Sequence, residues 1–211
     1  SASFVGLEPF PHVMKIAERA GFSFGTKNTC FVTGLGETLP FRDNTFDVIV
    51  TWDVIEHVRD PMRVMQEITR CLKVGGVSLG VFPPYHNPTA HHLGYATRLP
   101  FLHLVFSPDV LVAAVNRLIE AGEVELNRQP APQRGPWGRK TLPSLNGTTV
   151  ADWNRLTRQL ESRYAVAIRN TYVPFGERIA VLRIFNRIML RLFRNSDLFC
   201  GHIRTVLHKE V

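Results

Sequence analysis

The run Phe46-Asp47-Val48-Ile49-Val50-Thr51 constrains the fold most. It is short and apolar, the composition of a strand buried on both faces, and such strands belong to parallel sheets. Its neighbours repeat the theme. Phe4-Val5-Gly6-Leu7 reads as a strand ending at Glu8, Cys30 to Thr33 as a second, and Val77 to Phe82 as a fourth, ended by Pro83-Pro84. Helical spacing separates them. Val13, Ile16, Ala17 and Ala20 share one face of a helix from His12 to Ala20, with Gly21 as its C-cap. A second helix has Asp60 as N-cap and Pro61 at its first position, runs through Met65, Ile68 and Leu72, and is expected to stop at Gly75-Gly76. Strands separated by helices imply right-handed crossovers and a parallel sheet.

Beyond residue 84 the pattern changes. Residues 85–106 hold four histidines and an apolar run, Leu99 to Phe106, expected to be buried. Ser107-Pro108-Asp109 starts a helix ending near Gly122, and residues 127–149, rich in Pro, Gly, Arg and Asn, read as a long surface loop. Alternation then resumes. Thr149 caps a helix from Val150 to about Arg163, Tyr164 to Val173 is a strand, residues 177–194 are helical, and Leu198 to His208 is a last strand. Arg183, Arg187, Arg191 and Arg194 form one stripe of that final helix, which is expected to pack on the sheet. The fold expectation is one α/β domain over 1–211, with a mostly parallel sheet, helices on both faces, and residues 85–149 as a lid or cap.

Composition narrows the class. At 211 residues, 45% apolar and 20% charged, the chain is suited to a single packed domain and not to disorder. No stretch reaches the roughly 18 uncharged apolar residues of a membrane span, and no secretory signal is visible. Cys30, Cys71 and Cys200 are too few and too scattered for a disulfide scaffold or zinc knuckle, which points to a reducing, cytoplasmic setting. Charge is uneven: residues 1–126 balance at −3 and residues 127–211 at +10. That basic third suits a solvated surface, an anionic substrate or a peripheral lipid contact; no nucleic-acid motif or interleaved aromatic platform accompanies it.

Three ordered motifs carry a resemblance. They are Gly34-Leu35-Gly36-Glu37-Thr38-Leu39-Pro40-Phe41-Arg42-Asp43-Asn44-Thr45-Phe46-Asp47, then Val54-Ile55-Glu56-His57-Val58-Arg59-Asp60, then Arg70-Cys71-Leu72-Lys73-Val74-Gly75-Gly76. In order and spacing this segment resembles the class I S-adenosylmethionine-dependent methyltransferases, of the type 11 kind. The resemblance implies a Rossmann-like fold and S-adenosyl-L-methionine as cofactor. Glu8, at a strand's carboxyl end, then takes the place of the acid that accepts hydrogen bonds from the ribose hydroxyls. Gly34, Leu35, Gly36 and Glu37 frame the adenine, with Leu35 where the family often carries Asp. Thr51, Trp52 and Asp53 line the pocket near the sulfonium and methyl group.

The family's glycine-rich loop after its first strand has no counterpart before Phe4. The chain is therefore expected to be truncated, starting at the family's second strand, and to leave ladder edges unpaired on both neighbours of the missing strand. Such edges make a homodimer or a strand-swapped assembly an expectation. A gapped site also leaves open a second class of function, a non-catalytic interaction module on the same fold.

Methyl transfer is a displacement that benefits from a base near neutral pKa. Tyr85, His86, His91 and His92 follow the fourth strand, where a small-molecule acceptor, anionic or lipid-linked, would arrive, and they are the catalytic candidates. His57 reads as the first turn of a helix. No carboxylate or cysteine completes a ligand spacing with His86, His91 and His92, so no metal is expected.

Overall fold

The protein is described by a computed structural model covering residues 3–23, 28–126, 129–176, 179–193 and 196–211. The side chains of residues 17 and 20–23 fall outside that description, as does Arg194 of the arginine stripe.

The amino-terminal part alternates as its periodicity requires. Strand β1 (Phe4–Glu8) leads through α1 (Pro11–Ser23) to β2 (Thr29–Thr33), which pairs with β1 in parallel. Gly21 lies inside α1 and does not cap it. β3 (Phe46–Trp52) follows, then α2 (Pro61–Cys71), then β4 (Leu72–Phe82), parallel to β3. Asp60 caps α2 by accepting from the Arg63 N–H at 3.0 Å, with Pro61 in the first turn. The helix ends at Cys71, several residues before the glycines expected to stop it. Those glycines serve β4 instead. Gly75 takes φ +79°, and a Cβ on Gly76 would lie 2.9 Å from the Lys73 carbonyl oxygen and 3.1 Å from that of Asp47. The chain enters β4 through a gap that admits only hydrogen.

After β4 come α3 (Leu102–Val105), α4 (Pro108–Glu120), the two-residue strands β5 (Gln133–Arg134) and β6 (Lys140–Thr141), and α5 (Val150–Arg163). Strand β7 (Val166–Pro174), helix α6 (Ala180–Leu192) and strand β8 (Cys200–Lys209) complete the order. The main sheet runs β3-β4-β8-β7, with β8 antiparallel to both neighbours, so it is mixed. Among the described residues β1 pairs only with β2, and β3 only with β4, so each leaves an edge unpaired, as expected.

One sheet face is the core. Val64, Met65 and Ile68 of α2 and Trp153, Leu156 and Leu160 of α5 pack on Phe82, Ile203 and Leu207. The Trp153 ring sits edge-on to Phe82 at 4.8 Å, and its Nε1–H donates to Thr205 Oγ1 (2.9 Å) and Asn170 Oδ1 (3.1 Å). The opposite face is largely bare: Val48, Val50, Trp52 and Leu79 share it through register and are exposed. α6 packs against β7 as expected, with Leu190 on the core and Asn186 buried, but it leaves Val181, Ile184, Phe185 and Ile188 exposed. The Leu99 to Phe106 run differs from expectation. Leu99, Phe101, Leu104, Val105 and Phe106 are exposed, and only His103 of that run is buried. A second core of Tyr85, Leu93, Leu111, Val112, Val115, Leu142 and Leu145 packs the segment between β4 and α5 together.

Candidate functional site

The carboxyl ends of β3 and β4 lie side by side, with Trp52 paired to Val81. Loops leaving parallel strands at this edge are where open α/β sheets bind ligands. The chain leaves β3 at Asp53, which takes φ +49° and donates its N–H to the Val81 carbonyl at 2.9 Å. A non-glycine residue in this region is strained and is held only where neighbours fix it. A turn follows in which the His57 N–H donates to the Val54 carbonyl at 2.9 Å. His57 therefore sits in a turn, not in the first turn of a helix; α2 starts only at Pro61.

The cap is clamped onto this turn from a great sequence distance. Asn146 donates its side-chain N–H groups to the carbonyls of Ile55 (2.6 Å) and Val58 (2.9 Å), and its own N–H to the Glu56 carbonyl (2.8 Å). Its Oδ1 accepts from Thr148 N–H and Oγ1–H. Asp197 works similarly on the other side, accepting from the N–H groups of Val150 (2.7 Å) and His86 (3.1 Å). Asn87 donates to the carbonyls of Cys200 and Gly201.

Next to these clamps lies an open cavity of about 220 Å³ lined by Asp53, Glu56, Asn87, His92 and His202 among others. Glu56 is 4% exposed, and neither of its carboxylate oxygens has a hydrogen-bond partner. Burial pushes its carboxyl up to about 8, and the Asp53 charge adds to the rise. His92, with φ +54°, has its imidazole held below the usual range by burial and then by His57, whose ring is 4.9 Å away.

Of the four residues expected to be catalytic, His92 alone lines this cavity. His91 is buried and its Nδ1 accepts from the Leu93 N–H at 3.0 Å; burial lowers its imidazole from the usual range. Tyr85 belongs to the second core, where burial raises its phenol. His86 stands half exposed, with Nδ1 3.4 Å from Asp197. Glu56 and His57 are the residues that sequence reasoning missed, because the residues they meet, Ser144, Asn146 and His92, are distant in the chain.

The residues expected at the cofactor are placed as follows. Glu8 ends β1 and accepts from the Phe10 N–H at 3.2 Å. Gly34 follows β2 and donates to the Glu8 carbonyl. Leu35 and Trp52 are 54% and 68% exposed. Gly36 lies beside Val64 of α2. Glu37 is occupied: its Oε1 accepts from the N–H groups of Arg59 (2.8 Å) and Asp60 (3.4 Å). Thr51 is half-buried in β3, beside Gly80. A second cavity of about 510 Å³ lies by α6 and β7, lined by Tyr172, Arg187, Leu190, Arg191 and Arg204 among others.

A family model described as a methyltransferase domain matches residues 1–79. An uncharacterized methyltransferase of Mycolicibacterium vanbaalenii is 34% identical over 104 residues, covering 44% of this chain and 38% of that protein. One of Mycobacteroides abscessus is 29% identical over 91 residues, covering 43% and 35%. The matched part thus spans little more than a third of these relatives' length. Among solved structures, the YcgJ protein of Bacillus subtilis has a TM-score of 0.53 at 17% identity, covering 99% of this chain and 83% of that one. A SAM-dependent methyltransferase of Methanosarcina mazei gives 0.53 at 15% identity, covering 99% and 83%. The [4+2]-cyclase SpnF gives 0.56 at 14%, covering 99% and 66%. The structural likenesses show a shared Rossmann-like α/β fold.

Proposed function

We propose, from the match of residues 1–79 to a methyltransferase-domain model, that the protein transfers a methyl group to a small-molecule nucleophile. The observation that carries this reading is the convergence of Asp53, Glu56 and His92 on a cavity at the carboxyl ends of β3 and β4. The C-terminal charge balance of +10 favours an anionic or lipid-linked acceptor.

The residues present fit S-adenosyl-L-methionine. Glu8 offers an acceptor-only carboxylate at the end of β1, Leu35 and Trp52 offer exposed apolar faces, and Asp53 follows Trp52 in the chain with a charge at the cavity wall. When bound, that cofactor supplies a methyl group on cationic sulfur. The chain's own part is alignment, dryness and proton transfer. Loop 142–149 keeps the turn after β3 fixed through Asn146, which holds the acceptor side of the cavity in one geometry. Asp53 and His92 line the cavity and are the groups placed to receive the proton that a hydroxyl or amine acceptor loses on methylation.

Calorimetric titration with S-adenosylhomocysteine tests this. One-to-one saturable binding is expected, weakened at least tenfold in Glu8→Ala. No saturable binding, or equal affinity in the variant, overturns it. Absence of binding would favour the second reading, a non-catalytic interaction module, for which the exposed Val48, Val50 and Trp52 face speaks.

A further inference from the structure

Three potential ligand side chains meet beside the 220 Å³ cavity, and two of them, Glu56 and His92, line it. The first is Glu56. Its carboxylate is buried and unpartnered, and the clamp of Asn146 on Ile55, Glu56 and Val58 keeps its backbone from turning outward. Leaving such a group without a partner is costly. The second is His57. Its Nδ1 lies 2.6 Å from the Ser144 carbonyl oxygen, a separation that makes Nδ1–H the donor. The lone pair is therefore on Nε2, which lies 3.9 Å from Glu56 Oε1, too far for a hydrogen bond. The third is His92, brought in by the loop after β4. One ligand atom from each of the three lies within 4.8 Å of the others.

We propose that Glu56, His57 and His92 hold one divalent transition-metal cation of the zinc class, with its remaining position facing the cavity. One carboxylate and two imidazoles with an open fourth position is a zinc donor set; calcium and magnesium demand more oxygen. In a tetrahedral site the ligand atoms stand about 3.4 Å apart. Closing from separations within 4.8 Å asks for side-chain shifts on the order of 1 Å. The surroundings are already those of a metal site. A ligating histidine donates its other N–H to a carbonyl, which fixes its tautomer, and Ser144 does this for His57. Ser144 and His92 both hold positive φ, at 61° and 54°, so both are held in costly backbone geometry at this point. The open position is available to water or, if the methyl-transfer reading holds, to an oxygen of the acceptor.

Cobalt(II) titration of the chelator-treated, tag-free chain tests the site without any nucleoside cofactor. One equivalent is expected to bind with visible d–d absorption and to be displaced by zinc. Glu56→Gln and His92→Gln are each expected to weaken binding at least 100-fold while far-UV circular dichroism is unchanged. Glu8→Ala is expected to retain full cobalt affinity, which separates failure here from failure of the cofactor reading. Substoichiometric cobalt, or equal affinity in both ligand variants, overturns the proposal. Should Glu56→Gln not fold, the half-buried His92→Gln alone decides.

Discussion

Arg70 explains why two of the sequence motifs occur together. Its guanidinium donates to the carbonyls of Leu39 (3.1 Å) and Phe41 (2.8 Å), to Asp43 (2.7 Å) and to Glu67, and Glu67 in turn accepts from the Leu39 N–H (2.9 Å). The segment before β3 thus has its backbone polar groups satisfied by α2, so the pattern seen in sequence is largely a scaffold. His103 is a different case. It is buried beside Tyr85, His86 and His91, and neither ring nitrogen has a partner. Burial, with His91 and His86 adding, pushes its imidazole down from 6.5 to about 4, against a smaller pull from the backbone of Tyr85 and Asn87. The folded state thus holds it neutral while the unfolded chain protonates near 6.5, so its contribution is complete above that pH and is lost as pH falls toward 4. Urea unfolding is expected to show the wild type losing roughly 2 kcal/mol more than His103→Leu between pH 7 and pH 4.5. Parallel pH profiles would remove His103 as the cause.

At the scale of elements, residues 142–149 clamp the turn after β3. Asn146 satisfies the backbone of a turn about 90 residues earlier, and Thr149 and Asp152 close a capping box that starts α5 immediately afterwards. Asn146→Ala leaves the carbonyls of Ile55 and Val58 without their donors in a buried place. A loss of about 2–3 kcal/mol in stability is expected, and cobalt affinity should fall although Asn146 touches no ligand atom. Unchanged affinity in a destabilised variant would confine Asn146 to a structural part. The cap of α5 was readable from Thr149, since a helix start is local chemistry. The exposure of Leu99 to Phe106 was not, because burial of an apolar run depends on what stands opposite it. Glu56 and His57 were unreadable for the same reason: their meaning depends on Ser144, Asn146 and His92, which no local pattern links to them.

For the whole molecule, the strand order separates chain position from spatial position. The parallel elements up to residue 82 were legible because each apolar run of β3 and β4 had only one period to obey. That β8 runs between β4 and β7, antiparallel to both, was not, because strand direction leaves no mark in a short apolar pattern. β8 is nevertheless the strand that joins the sheet: Ile203 and Leu207 enter the core with Phe82 and Trp153. Removing residues 200–211 is expected to abolish cooperative unfolding followed by Trp153 fluorescence, since β4 and β7 then share no partner. A retained sharp transition would show that the helices alone hold the two strands. The same topology has a consequence in time. About 120 residues separate the end of β4 from the start of β8, so at ordinary rates of synthesis roughly ten seconds pass before the ribosome releases the strand that β4 awaits. Throughout that interval the nascent chain displays an open β4 edge, which makes it a natural client for chaperones that shield growing polypeptides.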